Sequence, residues 1–212
     1  MKINSPKTSK CLRKSFYDCY YNEEFENAIF EDEIIKNELN LENITIDSCI
    51  FKNISFENIA MSDVDLIDVV FENCDLSNKC FDRKLLSRVQ FKNCKLMGTS
   101  FIDSSIKDVS FLECNATYLN FSSSKINNFS IINSDLSESS FLLTKIKNIF
   151  FNNTKLSKTE FFNTNLNNVD FSTSDISETI FDINSLKGII IDQFQSPFLI
   201  GILGVKIKWK DR

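Results

Sequence analysis

The chain has 212 residues, of which 42% are hydrophobic and 25% are charged, and its formal net charge is −5. This composition is typical of a single folded, soluble domain of moderate size. The sequence holds 21 Phe but no His, and only 4 Gly and 2 Pro, which excludes a collagen-like chain and most enzymes that use His as a base or metal ligand. No stretch approaches the roughly 18 uncharged apolar residues that span a bilayer.

The N-terminal residues are basic but lack the apolar core of a secretory signal. The seven Cys are an odd number and include no CxxC pair, which argues against both a disulfide framework and a zinc site. We therefore expect a reduced, cytoplasmic setting without a membrane partner.

The charge is distributed unevenly along the chain. Residues 1–15 carry +5, residues 16–76 contain 16 Asp or Glu against two Lys, a net charge of −14, and residues 77–212 carry +4. This balance does not favour direct nucleic-acid binding. The acidic segment is interpreted either as a solvated surface or as a binding face for a basic partner. We predict that residues 1–19 form an N-terminal extension and that the acidic residues after Tyr20 belong to a first, irregular coil that caps the fold.

Between Leu41 and Ile191 every fifth residue is apolar, and we call these positions the centres. A period of five fits neither a helix nor a flat strand, so the backbone must turn a corner every five residues. The type of residue two places before a centre repeats only every twenty residues, so these positions fall into separate series. One such series is apolar, one is small, and one is mostly small or polar, as in Val69, Val89 and Val109, in Cys74, Cys94 and Cys114, and in Thr99, Ser139 and Thr159. The sequence thus predicts turns of four unequal sides stacked ~4.8 Å apart, with Val89 and Val109 one turn apart inside the core.

Phe alternates with Leu or Ile at many centres, which predicts stacks of Phe rings on two opposite sides. Ile131 stands where a Phe is expected, and Phe129 supplies a ring on the same side, which roughly conserves the core volume. Asn is frequent two places after a centre, and Asn tolerates the left-handed backbone that a corner needs. These predicted corner residues are Asn53, Asn58, Asn73, Asn78, Asn93, Asn128, Asn133, Asn148, Asn153, Asn163 and Asn168.

Three segments carry a recognisable signature: CDLS at 74–77, SDLS at 134–137 and TNLN at 164–167. They resemble the A(D/N)LXX unit of the pentapeptide-repeat family, and the resemblance covers about residues 20–193. It implies an all-β fold, a right-handed quadrilateral β-helix (a pentapeptide-repeat solenoid), which agrees with the period of twenty.

Within that family, the stretch from Cys94 to Phe121 and the ending from Leu186 to Val205 are similar to Qnr-type quinolone-resistance proteins. This resemblance implies a rod-shaped homodimer joined through its C-terminal segments. Such dimers act as DNA mimics that bind a type II topoisomerase, DNA gyrase or topoisomerase IV, and can protect it from fluoroquinolones.

Residues 194–212 are predicted to be a C-terminal cap or dimerisation segment. Ser196 as N-cap and Pro197 at the first position start a short apolar helix, Gly204 ends it, and Val205–Trp209 has the alternation of a strand. The helix could cap the last coil of its own chain or form a symmetric contact with a second copy, and the resemblance favours the dimer. The candidate dimerisation residues are Phe198, Leu199, Ile202 and Leu203.

Apolar residues directly after the centres should face solvent, and Ile102, Leu142 and Phe162 form a candidate partner-binding surface on one side. The alternative interpretation is that scattered apolar residues are normal on a surface. The sequence shows no nucleophile–base pair and no Gly-rich phosphate loop, so neither enzyme activity nor a cofactor or metal is expected. The alternative to a topoisomerase ligand is a structural or scaffold module with another protein partner.

Overall fold

The computed structural model describes residues 3–206 and Lys208. Within this part the chain is an all-β parallel solenoid of about eight turns, with two short α-helices. The elements are β1 (Leu12–Arg13), α1 (Phe16–Asn22), β2 (Glu26–Glu31), β3 (Leu39–Asn40), β4 (Ile44–Lys52), β5 (Ile59–Ala60), β6 (Val64–Glu72), β7 (Leu85–Lys92), β8 (Ser105–Leu112), β9 (Lys125–Ile132), β10 (Lys145–Ile146), β11 (Ile149–Asn152), β12 (Glu160–Phe161), β13 (Ile180–Phe181), a 3-10 helix (Gln193–Gln195) and α2 (Ser196–Ile202).

Each turn has four sides, which we name by their centres. Side A has its centre at Ile46 and at every twentieth residue after it, and sides B, C and D follow in the same way from Phe51, Phe56 and Met61. Five long strands each cover sides A and B and pair in parallel with the next: β4, β6, β7, β8 and β9. Isolated parallel bridges hold side C, as between residues 75 and 95, and side D, as between residues 100 and 120.

The inward positions confirm the period of twenty. Val89 lies directly opposite Val109 in the parallel ladder, and both are buried. All centres from 41 to 191 are buried except Ile146, Leu186 and Ile191, which are half-buried towards the C-terminal end.

Phe rings stack along sides B and D, as the alternation predicts. On side B the ring centroids of Phe71 and Phe91 are 5.0 Å apart, and on side D those of Phe101 and Phe121 are also 5.0 Å apart. Phe129 replaces the missing side-B ring and lies 4.8 Å from Phe111, edge to face. Such pairs add about 0.5–1.5 kcal/mol each to the burial of their area.

The series of residues two places before the centres differ in polarity because hydroxyl and thiol groups are needed inside some corners and not inside others. Thr99 Oγ1 donates to the Leu76 carbonyl at 2.9 Å, and Cys94 Sγ lies 3.4 Å from the Phe71 carbonyl. In both cases the acceptor is the centre of the preceding side in the turn before. A buried carbonyl that leaves a ladder needs another donor. At the A–B corner the strand continues, so Val89 and Val109 can be apolar.

The corner two places after a centre adopts the left-handed backbone in most turns. Nine of the predicted Asn have positive φ: Asn53, Asn73, Asn78, Asn93, Asn128, Asn133, Asn153, Asn163 and Asn168. The prediction is wrong for Asn58 and Asn148. Asn58 instead donates through its side chain to the Ile35 carbonyl at 3.0 Å, where the first coil is irregular, and at Asn148 the strand is broken between β10 and β11. Arg88 and Leu143 also have positive φ, so the coil imposes this backbone on whatever residue stands there.

The N-terminal end contains the helix α1, Phe16–Asn22, which spans the boundary between the predicted extension (1–19) and the predicted first coil. Ser15 caps α1 and accepts a hydrogen bond from the Asp18 amide at 3.3 Å. Phe16 is buried against the first rings, with its centroid 5.2 Å from that of Phe25 and 5.5 Å from that of Phe30. The helix thus closes the N-terminal end of the apolar core.

The C-terminal helix begins one residue earlier than predicted, because Gln195 rather than Ser196 is its N-cap. The preceding 3-10 helix, which Asp192 caps, already leads the chain into the helical conformation. The predicted end is confirmed: Gly204 has φ +74, its amide donates to the Gly201 carbonyl at 2.9 Å, and the next amide donates to the Ile200 carbonyl at 3.3 Å, which is a Schellman motif.

The predicted strand Val205–Trp209 is not present at its described residues. Val205, Lys206 and Lys208 have no strand assignment, and Ile207 and Trp209 lie outside the described residues.

Candidate functional site

The three predicted partner-binding residues share one column on side D but do not form one patch. Ile102 and Leu142 are half-buried and Phe162 is 37% exposed. The Leu143 amide donates to the Phe162 carbonyl at 2.9 Å, so Leu142 and Phe162 lie on adjacent turns. Ser122 occupies the turn between Ile102 and Leu142, which separates Ile102 from the other two.

Further apolar residues extend this surface towards the C-terminal end. Leu143, Ile180 and Ile183 are exposed on the same side as Leu142 and Phe162. We call these five residues the apolar patch. The two Ile were missed because neither stands directly after a centre.

The C-terminal segment packs against its own solenoid and leaves an apolar rim. Phe198, Leu199 and Ile202 are partly buried against the core, whereas Leu203 is exposed. Gln195 anchors the segment, since its Nε2 donates to the carbonyls of residues 171 and 174 at 3.0 and 2.7 Å. Leu203 forms the rim together with two further exposed residues, Phe194 (82% exposed) and Val205. Three of the four candidate dimerisation residues therefore contribute to an intramolecular cap.

The N-terminal end of the rod is acidic. Glu23, Glu24, Glu26, Glu38 and Glu42 are exposed, and within the described residues none of them forms an ion pair. We call these residues the acidic end. Their carboxylates are available to an approaching cationic surface.

The negative charge does not continue as a band along side C. The position before its centres alternates in sign, as in Asp75, Lys95, Asp135 and Lys155. Lys95 Nζ lies 3.5 Å from Asp75, and Lys155 Nζ lies 3.5 Å from Asp135. These exposed pairs contribute little to stability, but they neutralise the side.

The N-terminal residues form a strap along the A–B corner, which sequence reasoning missed. Asn4 Nδ2 donates to Asp108 Oδ2 at 3.0 Å, the Lys7 amide donates to Asp68 Oδ1 at 2.9 Å, and Cys11 Sγ donates to the Ser48 carbonyl at 2.9 Å. The strap thus runs antiparallel to the direction in which the turns accumulate. We define it as residues 3–11.

The spacing of the strap matches that of the turns. Asp68 and Asp108 are two turns apart, about 9.6 Å, and three extended residues from Asn4 to Lys7 cover about 10 Å. Both carboxylates are buried. The one feature of the sequence that agrees with a docked strap is the opposite charge of residues 1–15 and of the segment that follows them.

Hydrogen bonds keep both buried carboxylates ionised. Arg88 donates to Asp68 through two nitrogens, each at 2.6 Å, and with the Lys7 amide it holds the pKa of Asp68 below its usual value. Burial raises the pKa of Asp108, but hydrogen bonds from Asn4 and Asn128 outweigh this effect and lower it. Both groups therefore hold the strap as anions at neutral pH.

A recess of about 600 Å³ lies beside α1 and contains Tyr20, Asn40, Asn58 and Lys79. Lys79 Nζ donates to the Ile59 carbonyl at 3.0 Å, and desolvation lowers the pKa of this amine. Lys79 stands at the repeat position that Thr99 occupies one turn later, and like Thr99 it donates to a backbone carbonyl. Its ammonium group satisfies backbone carbonyls rather than pointing freely into the recess.

The seven Cys are free, and burial raises the pKa of the Cys49 thiol to about 12. In the described part of the chain, no group of three or more His, Cys, Asp or Glu could hold a metal ion. No helix there has the length and hydropathy required to cross a membrane.

Residues 64–141 match the family model of the pentapeptide repeat region. The chain contains a pentapeptide repeat region. The fold and the repeat signature both agree with this assignment, so the resemblance that the sequence carries is confirmed at the level of the repeat and the fold.

Among solved structures, the chain is similar to two trypsin-treated variants of QnrB1, described as a plasmid-mediated fluoroquinolone resistance protein. The first has a TM-score of 0.53 and 21% identity, and the match covers 87% of this chain and 92% of that one. The second has a TM-score of 0.51 and 20% identity and covers 86% and 89%. HetL, a pentapeptide repeat protein involved in heterocyst differentiation regulation from the cyanobacterium Nostoc, has a TM-score of 0.34 and 12% identity and covers 86% and 98%. No curated protein matches the chain in sequence.

Proposed function

We propose that the chain is a non-enzymatic protein ligand of a type II topoisomerase, DNA gyrase or topoisomerase IV. The observation that carries this proposal is the acidic end, where exposed and unpaired carboxylates stand on a rigid solenoid. The fold is also that of QnrB1, described as a fluoroquinolone resistance protein. Carboxylates at fixed spacing can take the place of DNA phosphates on a basic enzyme groove.

The charge distribution limits how such a rod could bind. Side C is neutralised by alternating charges, so the acidic end rather than the whole length makes the contact. Eight turns at ~4.8 Å give a rod of about 38 Å. Two copies joined at their C-terminal segments would therefore place the two acidic ends at opposite tips.

Gyrase supercoiling with added protein, with and without ciprofloxacin, tests the proposal. The double variant Glu24→Gln/Glu38→Gln should inhibit or protect less than the unmodified protein, because it removes two exposed charges. The matched variant Glu138→Gln/Glu178→Gln removes the same charge from side C and should behave like the unmodified protein. The proposal fails if there is no inhibition, no protection and no binding at low salt.

We propose further that the apolar rim joins two copies. Phe194 is exposed just before α2, and Leu203 and Val205 are exposed just after it. Exposed apolar residues of this kind around a cap are typically covered by a partner. The double variant Phe194→Asp/Leu203→Asp should be monomeric in sedimentation analysis. Leu142→Asp, which places the same charge in the apolar patch, should leave the dimer intact. A monomeric unmodified protein would contradict this part of the proposal.

A scaffold function is the second candidate, and the apolar patch favours it. Five apolar residues on adjacent turns form a surface that could take a protein segment with matching side chains. Phe162→Ser should abolish the binding of such a partner while gyrase inhibition stays unchanged. Because the ring is 37% exposed, the protein should still fold, with a melting temperature lower by a few degrees. Loss of gyrase inhibition in this variant would instead place the topoisomerase contact on the patch.

A further inference from the structure

Side A of the second half of the rod is lined by lysines. Five exposed residues stand directly before or after its centres: Lys107, Lys125, Lys145, Lys147 and Lys187. We call them the basic strip. In the first turns the same positions hold Asp47 and Asp65, so the charge of this side changes sign along the rod.

The strip places like charges next to each other. Lys125 and Lys145 are direct partners in the parallel ladder, about 4.8 Å apart at the backbone. Lys107 and Lys147 lie in the second column, about 7 Å across the strip. Lys187 follows in the turn at residues 182–188, where its amide donates to the Asn184 carbonyl at 3.2 Å, so the strip extends over about four turns, or about 19 Å. Like charges opposite each other in a sheet are destabilising, so this arrangement has a cost to folding.

Little in the described part of the chain offsets that cost: Lys187 Nζ donates to Asn184 Oδ1 at 2.9 Å, and Lys107 interacts with its neighbour Asp108. Among residues 3–206 and Lys208, none of the five lysines forms an ion pair. Asp108 follows Lys107 directly, but its carboxylate accepts hydrogen bonds from Asn4 and Asn128 rather than from a lysine of the strip. The lysines of side C differ in this respect, since Lys95 and Lys155 each lie beside an Asp.

We propose that the basic strip binds the phosphate backbone of double-stranded nucleic acid, without reading its sequence. Lysines and neutral amide and hydroxyl donors are the groups that contact phosphates, and the positions between the lysines are Ser105, Asn127, Asn165 and Asn167. One strand carries a phosphate every 3.4 Å or so along the duplex. A helical turn of the duplex is about 34 Å long, so a strip of about 19 Å is long enough to meet several phosphates on the facing side of the duplex.

The composition of the strip separates a duplex from a membrane surface. An interfacial segment inserts apolar side chains among the lipids, whereas the apolar residues of side A here, such as Ile126, point into the core. The acidic residues of the first turns do not cancel the strip. Asp65 and Lys125, the strip lysine that follows it in the same column, are three turns apart, about 14 Å, which exceeds the Debye length of about 8 Å at physiological salt.

Fluorescence anisotropy of a labelled 20-base-pair duplex, with the full chain as titrant, tests the proposal. If all five lysines contact phosphates, log K should fall with log salt concentration with a slope of about −4.5. The double variant Lys125→Gln/Lys145→Gln should lower the slope by about 2 and weaken binding at low salt. The matched variant Lys95→Gln/Lys155→Gln removes the same charge from side C and should bind like the unmodified protein.

Four outcomes would overturn the proposal. These are no binding to the duplex at low salt, equal losses in both double variants, binding to phosphatidylserine vesicles but not to the duplex, and a loss of self-association in Lys125→Gln/Lys145→Gln without a loss of duplex binding. The last would assign the strip to the acidic end of a second copy. The assay contains no topoisomerase, so its result tests duplex binding independently of the proposed function.

Discussion

Replacing Thr159 with Val should destabilise the solenoid although the two side chains have nearly the same volume. Thr159 is buried, and its Oγ1 donates to the Leu136 carbonyl at 2.8 Å. Among the described residues the other donor to that carbonyl is the Ser139 amide, at 3.3 Å. Without the hydroxyl, the carbonyl keeps only this longer bond.

The reciprocal change should be unfavourable as well. Val109 lies inside the A–B corner, where the strand continues and the residues on both sides of the corner, Lys107 and Val109, stay paired with the neighbouring turns. A hydroxyl at this position would replace no missing donor, but it could donate to the carbonyl two residues back, as Cys49 Sγ does to that of Asp47 at 3.2 Å. We therefore expect a cost at the lower end of about 1–3 kcal/mol. For Thr159→Val we expect about 1–2 kcal/mol, because one weak bond to the carbonyl remains.

Calorimetry measures both effects. In a chain of this length 1 kcal/mol corresponds to about 2–4 °C in melting temperature, so each variant should melt at least about 2 °C lower. Thr159→Ser keeps the hydroxyl and loses one methyl group, about 0.8 kcal/mol, and should be less damaging than Thr159→Val. If Thr159→Val is as stable as the unmodified protein, or Val109→Thr is neutral, then size rather than hydrogen bonding sets the inward series and the reasoning is wrong.

Three further changes test other parts of the structure. Leu143 is 51% exposed with φ +57, so Leu143→Asn should relieve about 1 kcal/mol of backbone strain and raise the melting temperature; a lower value would show that its packing matters more. Phe91→Ala should lower the free energy of unfolding in urea by about 3–5 kcal/mol, whereas Phe91→Leu should cost clearly less, and equal costs would contradict the ring stacking. The pKa of Asp68 is lowered in the folded protein, so its stabilisation of the strap is complete above the unfolded pKa of about 3.9 and is lost as the pH falls through the folded value. Protection of the Lys7 amide, corrected for intrinsic exchange, should therefore disappear in acid before that of Val109, and simultaneous loss would contradict the assignment.

The core was predictable from the sequence because each inward position repeats with a fixed period. Val89 and Val109 could be placed one turn apart, and Phe129 could be assigned to the position of a missing ring, because burial constrains every centre in the same way. Corner residues were less predictable. Asn148 fits the pattern but lies where a strand is broken, and Leu143 adopts the corner backbone that the pattern reserves for Asn.

The ends and the surface were not predictable from the period. The Ser15 and Asp18 pair is a helix-start signal, but the five-residue spacing from Tyr20 onwards favoured a coil. The strap depends on contacts between residues as far apart as Asn4 and Asp108, which no local pattern encodes. The column of Ile102 was predictable from the repeat. Its neighbour in the next turn is polar, however, so Ile102 is isolated and contributes less to a continuous binding surface.

The net charge of a segment also does not reveal the charge of a surface, because each turn distributes successive residues over four sides. Residues 77–212 have a net charge of only +4, yet five lysines without a paired carboxylate lie together on side A while the charges of side C alternate. An anionic end and a cationic flank can therefore belong to one rod without neutralising each other, since they are separated by more than a Debye length. If the two surfaces act independently, Lys125→Gln/Lys145→Gln should weaken duplex binding and leave the response of gyrase to the acidic end unchanged, whereas Glu24→Gln/Glu38→Gln should do the opposite.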